Sequence, residues 1–167
     1  MSKKPYNPLM KIFFLGPEGT NSDLAARNIF REGADFTSLP SIEDIFEKVA
    51  MSHSYYGVIP FENSYQGVIN SSLNCLIDYD LKILKEFNFS VSHNLCSMNE
   101  NYDLTAIKKI TSHPQVFGQC TNWMRKNIPD AEKIVATSTA EAASQAVEDR
   151  DLFCIANSYA IEIFNLH

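Results

Sequence analysis

Short apolar runs that stop at turn-forming residues alternate along this chain with segments whose apolar residues recur at helical spacing, and nothing else in it constrains the fold as tightly. Lys11 to Leu15 is a first such run, ended by Gly16-Pro17-Glu18-Gly19, which neither a strand nor a helix tolerates. Thr20 then offers an N-cap hydroxyl with Asp23 three residues on, and Leu24, Ala25, Ala26, Ile29 and Phe30 follow at helical spacing. Ser41 with Asp44 opens a second helix through Ile45, Phe46 and Val49, and Tyr55 to Ile59 reads as a strand closed by Pro60. The stretch from Phe61 to Gly67 leads into a helix whose apolar face holds Val68, Ile69, Leu73 and Leu76.

The segments 81–87 and 88–98 read as extended. Beyond them the alternation resumes: a strand over 107–111, a helix from Pro114 at its first position to about Asn127, and a strand over 133–137. A helix capped by Ser138-Thr139, a strand over 152–156 and a helix over 158–166 complete the chain. Regular exchange of strand and helix predicts an α/β fold with mainly parallel sheets, and the extended stretch is the natural crossing between two lobes. Residues 1–10 read as a polar tail and 11–167 as the folded part, with a first lobe over about 11–85 and a second over about 86–156. Residues 157–167 are expected to turn back toward the first lobe.

At 167 residues and 45% hydrophobic content the chain can bury its own core. A net charge of -6 with scattered lysines and arginines argues against nucleic acid as a partner. No apolar run approaches the roughly 20 residues of a membrane span, and no apolar stretch follows the N-terminal lysines, so the reading is a cytoplasmic protein. Cys75, Cys96, Cys120 and Cys154 are widely spaced, which suits reduced, mostly buried thiols better than zinc or disulfides. Cys120 with His113 is a conceivable nucleophile and base, but packing is the favoured role for a cysteine on an apolar helix face. The four histidines lack metal-ligand spacing, and no metal is expected.

Chemistry in such folds gathers where strands end and helices begin. Four loops at such places carry hydroxyls and amides with almost no lysine or arginine: Gly16 to Thr20, Glu62-Asn63-Ser64, Ser112-His113-Pro114-Gln115 and Ser138-Thr139. Any one of them alone is adequately explained as a cap of its own helix. Together they suit a small carboxylate-bearing metabolite held by hydrogen bonds. The glycine loop lacks the lysine of a phosphate-binding loop and the spacing of a dinucleotide fingerprint, which disfavours nucleotides.

The same four segments resemble, in order and spacing, the prephenate dehydratase family. The likeness runs from Gly16-Pro17-Glu18-Gly19-Thr20 and Glu62-Asn63-Ser64 through Ser112-His113-Pro114-Gln115, Gln119-Cys120 and Trp123 to Ser138-Thr139, and covers about residues 11 to 166. It implies two periplasmic-binding-protein-like lobes with prephenate in an interlobe cleft, a homodimer, and loss of carbon dioxide and water to give phenylpyruvate without a cofactor. It assigns catalysis to Asn63, Ser112 and Gln119, supported by Glu62, and places Thr20, Ser64, Ser138 and Thr139 along the substrate. The family's proton donor is the threonine of a Thr-Arg-Phe segment, which these residues do not contain. The expectation is therefore a catalytic domain that stops short of that segment and of the regulatory ACT domain. A prephenate decarboxylase or a non-catalytic binding protein for an aromatic-pathway metabolite are the alternatives.

Overall fold

A computed structural model describes residues 10–30, 33–64, 67–88 and 90–167. The expected tail, apart from Met10, lies outside them, as do Tyr65 and Gln66 of the loop after Pro60 and Phe89 of the expected crossing. The chain divides into two compact units. The first holds the described residues up to Gly16 together with Ser22–Asn88; the second holds Pro17–Asn21 with the chain from Ser90 to His167.

In the first unit, β1 (Lys11–Leu15) lies between β2 (Asp35–Leu39) and β3 (Tyr55–Val58), all parallel. Helix α1 (Asn21–Ile29) links β1 to β2, and α2 (Ile42–Ala50) links β2 to β3. Only the central strand is deeply covered. Ile12 and Phe14 pack with Ala26, Phe30 and Phe36, while Ile42 and Phe46 join Cys75 and Leu15 in a second cluster. The Ser41 hydroxyl accepts from the Asp44 amide at 3.0 Å, the cap that the sequence predicts. Gly57 permits the helix to come this near the sheet, because a Cβ there would lie 2.7 Å from Ile45 Cγ2.

β2 escapes the sequence reading. Among the described residues Asp35-Phe-Thr-Ser-Leu39 pairs on one side only, and it remains partly exposed along its length, so it needs little apolar content to hold its place. The chain after β3 also departs from expectation. Before helix α3 (Asn70–Asp78) comes a small antiparallel hairpin of β4 (Glu62–Asn63) and β5 (Gly67–Val68), turned with the help of Gly67 at φ 77°.

Neither does the segment 81–87 enter a sheet. It pairs with no strand among the described residues and leaves Ile83 and Leu84 more than two-thirds exposed. Of 88–98, only β6 (Asn94–Cys96) pairs. Local β-propensity is insufficient where no neighbouring strand takes up the backbone hydrogen bonds.

The second unit has a four-stranded sheet in the order β6-β9-β7-β8, with β7 Lys109–Ser112, β8 Glu132–Val135 and β9 Leu152–Ala156. β6 runs antiparallel and the rest are parallel. β9 is buried throughout because it has strands on both edges and helices on both faces. Cys154 and Ala156 face α6 (Thr139–Glu148) and α7 (Ser158–Phe164), where Ala142, Ala143, Ala146 and Ala160 allow close helix approach. Phe153 and Ile155 face a bulkier cluster of Ile110, Val116, Phe117 and Met124.

The helix expected from Pro114 is two. Segment α4 (Pro114–Gln119) breaks at Cys120 (φ -92°, ψ 4°) before α5 (Thr121–Asn127). Gly118 weakens the helix there, and the Thr121 hydroxyl donates to the Phe117 carbonyl at 2.7 Å. Residues 157–167 do not leave the second unit for the first. Leu166 packs with the alanine cluster, and Ser97 and His167 exchange backbone hydrogen bonds of 3.1 and 2.9 Å. What crosses over is the short loop Pro17–Asn21, which the first half of the sequence contributes to the second unit. Among the described residues, no helix is long and apolar enough to cross a membrane.

Candidate functional site

In the first unit the sequence-predicted groups sit on the β4–β5 hairpin. The Ile69 amide donates to the Phe61 carbonyl at 2.8 Å, closing the hairpin onto the start of α3. Ser72, wholly buried, donates its hydroxyl to the Pro60 carbonyl at 2.6 Å and so fixes the point where β3 gives way to the loop. Glu62 and Ser64 are exposed, whereas Asn63 is half-buried. Successive strand residues face opposite sides, so Glu62 and Asn63 point apart.

In the second unit several predicted groups collect at the carboxyl edge of the sheet. β7 ends at Ser112, β8 at Val135 and β9 at Ala156, and antiparallel β6 enters at the same edge with Asn94 opposite Ala156. Thr20 belongs to this group through its loop. Gly19 has φ 83°, a value that favours glycine, and a Cβ there would meet Ala140 at 3.4 Å and Phe164 at 3.5 Å. The loop thus lies against the beginning of α6, beside Ser138 and Thr139. Asn157 fastens it: its amide donates to the Gly19 carbonyl and to Asn21 Oδ1, both at 3.0 Å, while its own Oδ1 accepts from the Ala160 amide at 2.7 Å. Sequence reading missed Asn157, although an asparagine ahead of a helical run is an N-cap signal.

Ser138 caps α6 by accepting from the Glu141 amide at 3.0 Å. The Glu141 carboxylate turns back to take hydrogen bonds from the Thr137 hydroxyl and amide, and these hold it below the usual carboxylate range. Thr139 is nearly buried.

Ser112 departs from its expected role. It is fully buried, and its hydroxyl donates to the Ile155 carbonyl at 2.8 Å, joining β7 to β9 instead of reaching outward. Gln119 is exposed at the end of α4, and its Oε1 lies 2.5 Å from Nε2 of His93, a residue sequence reading left without a role. A histidine just before a short strand gives no periodic signal, and the pairing spans 26 residues.

The conceivable Cys120–His113 dyad is not built as a nucleophile and base. His113 Nδ1 accepts from the Gln115 amide at 3.3 Å and caps α4, while burial pushes the Cys120 thiol up, opposite to activation. Cys96 and Cys154 face each other across β6 and β9 with sulfurs 3.3 Å apart. Their mutual hydrogen bond, followed by burial, raises the Cys154 thiol above its ordinary range. A separate concavity of about 800 Å³, lined by Leu95, Tyr102, Leu104 and Trp123 with Glu100 and Asp103, contains none of the predicted site residues. Its two carboxylates disfavour an anionic ligand.

Comparison with known proteins places the chain in a family. The family model described as prephenate dehydratase matches residues 12–167. The bifunctional chorismate mutase/prephenate dehydratase of Aquifex aeolicus is 32% identical over 158 residues, covering 95% of this chain and 43% of that protein. The prephenate dehydratase of Lactococcus lactis is 31% identical over 160 residues, covering 94% of this chain and 56% of the relative. The crystal structure of the prephenate dehydratase from Staphylococcus aureus superposes with a TM-score of 0.82 at 26% identity, covering 95% of this chain and 58% of that one. This chain therefore spans about half the length of the relatives it matches, and it belongs to the prephenate dehydratase family.

Proposed function

We propose that this chain binds prephenate and takes part in its conversion to phenylpyruvate in L-phenylalanine biosynthesis, as a cytoplasmic homodimer. The observation that carries the reading is the family match over residues 12–167, combined with the gathering of Thr20, Ser138, Thr139 and Gln119 at one sheet edge. Hydroxyl, amide and backbone N–H groups are the donors there. A dicarboxylate is a suitable guest for such donors, because hydrogen bonds to a charged acceptor are stronger than neutral ones.

The reaction asks little of the protein beyond positioning. The ring carboxylate leaves as carbon dioxide, its bonding electrons complete the aromatic ring, and the ring hydroxyl departs with a proton as water. A site that holds the side-chain carboxylate by hydrogen bonds and shields the departing carboxylate from water favours that electron flow. Asn63 and Gln119 act as substrate hydrogen-bond partners, and Thr20, Ser64, Ser138 and Thr139 line the substrate. Ser112 acts by holding β7 to β9, and Glu62 supports the hairpin that carries Asn63. No cofactor is required.

The family's donor threonine belongs to a Thr-Arg-Phe segment absent from these 167 residues. The decisive experiment thus separates binding from turnover. Incubation of the purified chain with prephenate, followed by identification of the product, gives phenylpyruvate if the chain completes the reaction. A non-aromatic decarboxylated acid would replace the reading with a decarboxylase, and unchanged prephenate with saturable binding would replace it with a binding protein. Asn63→Ala is expected to weaken prephenate binding while leaving the melting temperature within a few degrees of wild type. Light scattering tests the dimer.

A further inference from the structure

We propose that His93 is a positioning residue that fixes Gln119 as a hydrogen-bond donor toward an anionic ligand. The inference rests on the reading of Gln119 as a substrate contact. It begins from the 2.5 Å separation of His93 Nε2 and Gln119 Oε1.

A glutamine at the end of a short helix has three side-chain torsions to set and two chemically opposite faces to present: a carbonyl that accepts and an NH2 that donates. Free in solvent it samples both. His93 removes the ambiguity. With the amide oxygen turned toward the imidazole, Nε2 carries the hydrogen and donates, and the NH2 of Gln119 is left to face outward. Both of its hydrogens are then offered to a ligand, which suits a carboxylate or a hydroxyl oxygen. The opposite pairing, in which imidazole Nε2 accepts from the NH2, would present the carbonyl oxygen and repel the same ligand.

Both residues are placed firmly enough to enforce this choice. His93 immediately precedes β6, where Asn94 is registered opposite Ala156 and its side-chain amide also donates to the Ala156 carbonyl at 3.3 Å. Gln119 is the last residue of α4, whose start is fixed by the His113 cap and Pro114. Immediately after Gln119 the backbone departs from helical geometry at Cys120. The helix therefore delivers Gln119 at the sheet edge, and the residue entering the edge strand orients it. His93 touches the orienting oxygen of Gln119, and its effect on a ligand passes through that residue.

Prephenate binding by the intact chain, measured by calorimetry, supplies one arm of the test. Loss of the pairing in His93→Phe should weaken binding about tenfold, the scale of one charge-assisted hydrogen bond. Gln119→Ala should weaken it at least as much, and the double variant should be no weaker than Gln119→Ala alone. His93→Gln, which returns a donor at similar reach, should recover affinity to within about threefold of wild type. Additive losses, or full affinity in a folded His93→Phe protein, overturn the proposal.

The second arm needs no ligand. Nitrogen-15 NMR should show His93 as the Nε2–H tautomer, and the Gln119 side-chain amide resonances should move in His93→Phe. An Nδ1–H tautomer overturns the proposal. If wild type fails to bind prephenate at all, the functional reading falls, while the tautomer still decides whether His93 orients Gln119.

Discussion

The two units of this chain use the same strand-and-helix grammar and arrive at different degrees of closure. β9 in the second unit has a strand on each side and helices on both faces, and all five of its residues are buried. β1 in the first unit is also central, but among the described residues both its neighbours are edge strands, and of its own residues Ile12, Phe13 and Phe14 are deeply covered. The first unit further exposes Ile77 and Leu84, each at 74%. A sheet with one more strand gains a second interior strand, so the cooperative core should be stronger in the second unit. The more open unit carries Asn63, and the more closed one carries the cluster from Thr20 to Gln119.

The sharpest way to break that contrast is to remove the largest buried side chain of the first sheet. Phe14→Ala should cost about 3–5 kcal/mol, the range for deleting a buried aromatic ring. Hydrogen exchange should then show loss of protection in β1 to β3 with the amides of β9 still protected. Loss of protection in β9 to the same degree would mean that the units unfold as one.

Asn157→Ala attacks the second unit at its edge. It removes the cap of α7 and the bonds to the Gly19 loop together, a loss of about 2 kcal/mol in denaturant melts. Exchange of the amides at the beginning of α7 should rise before that of β9.

Gly57→Ala tests how tightly α2 lies on the first sheet. The new methyl group would meet Ile45 and Val49, and stability should fall by about 1–2 kcal/mol, with a smaller fall if the helix can shift.

The smallest expected effect concerns Glu141, whose carboxyl is held low by Thr137. A carboxyl lowered on folding stabilises the native state above its ordinary range, and that contribution is lost as pH falls through the folded value. The stability difference between wild type and Glu141→Gln should therefore be present at neutral pH and vanish in acid. A difference that persists unchanged at low pH would mean the charge is not what Glu141 contributes.

Caps and central strands were legible because their signals are local. Ser41 and Ser138 each bond an amide three residues on, a distance fixed by helical geometry alone, and Leu152 to Ala156 announces a buried strand by its unbroken apolar run. β2 and the β4–β5 hairpin were not legible. The first needs only one partner to persist, and the second is two residues on each side. The segment 81–87 failed in the other direction, since its apolar residues have the composition of a strand and pair with no strand among the described residues.

The candidate site divides along the same line. From residue types and spacing alone came the α/β class and the candidate loops, because turn chemistry, helix caps and apolar periodicity are properties of neighbouring residues; the family came from the resemblance of those loops to known motifs. Tertiary structure alone decided what each site residue does with its hydrogen bonds. It turned Ser112 inward to the Ile155 carbonyl, tied Gly19 to Asn157 across 138 residues, and set His93 against Gln119. Those partners are distant in sequence, and a polar side chain's role depends on which donor or acceptor the fold places within about 3 Å of it.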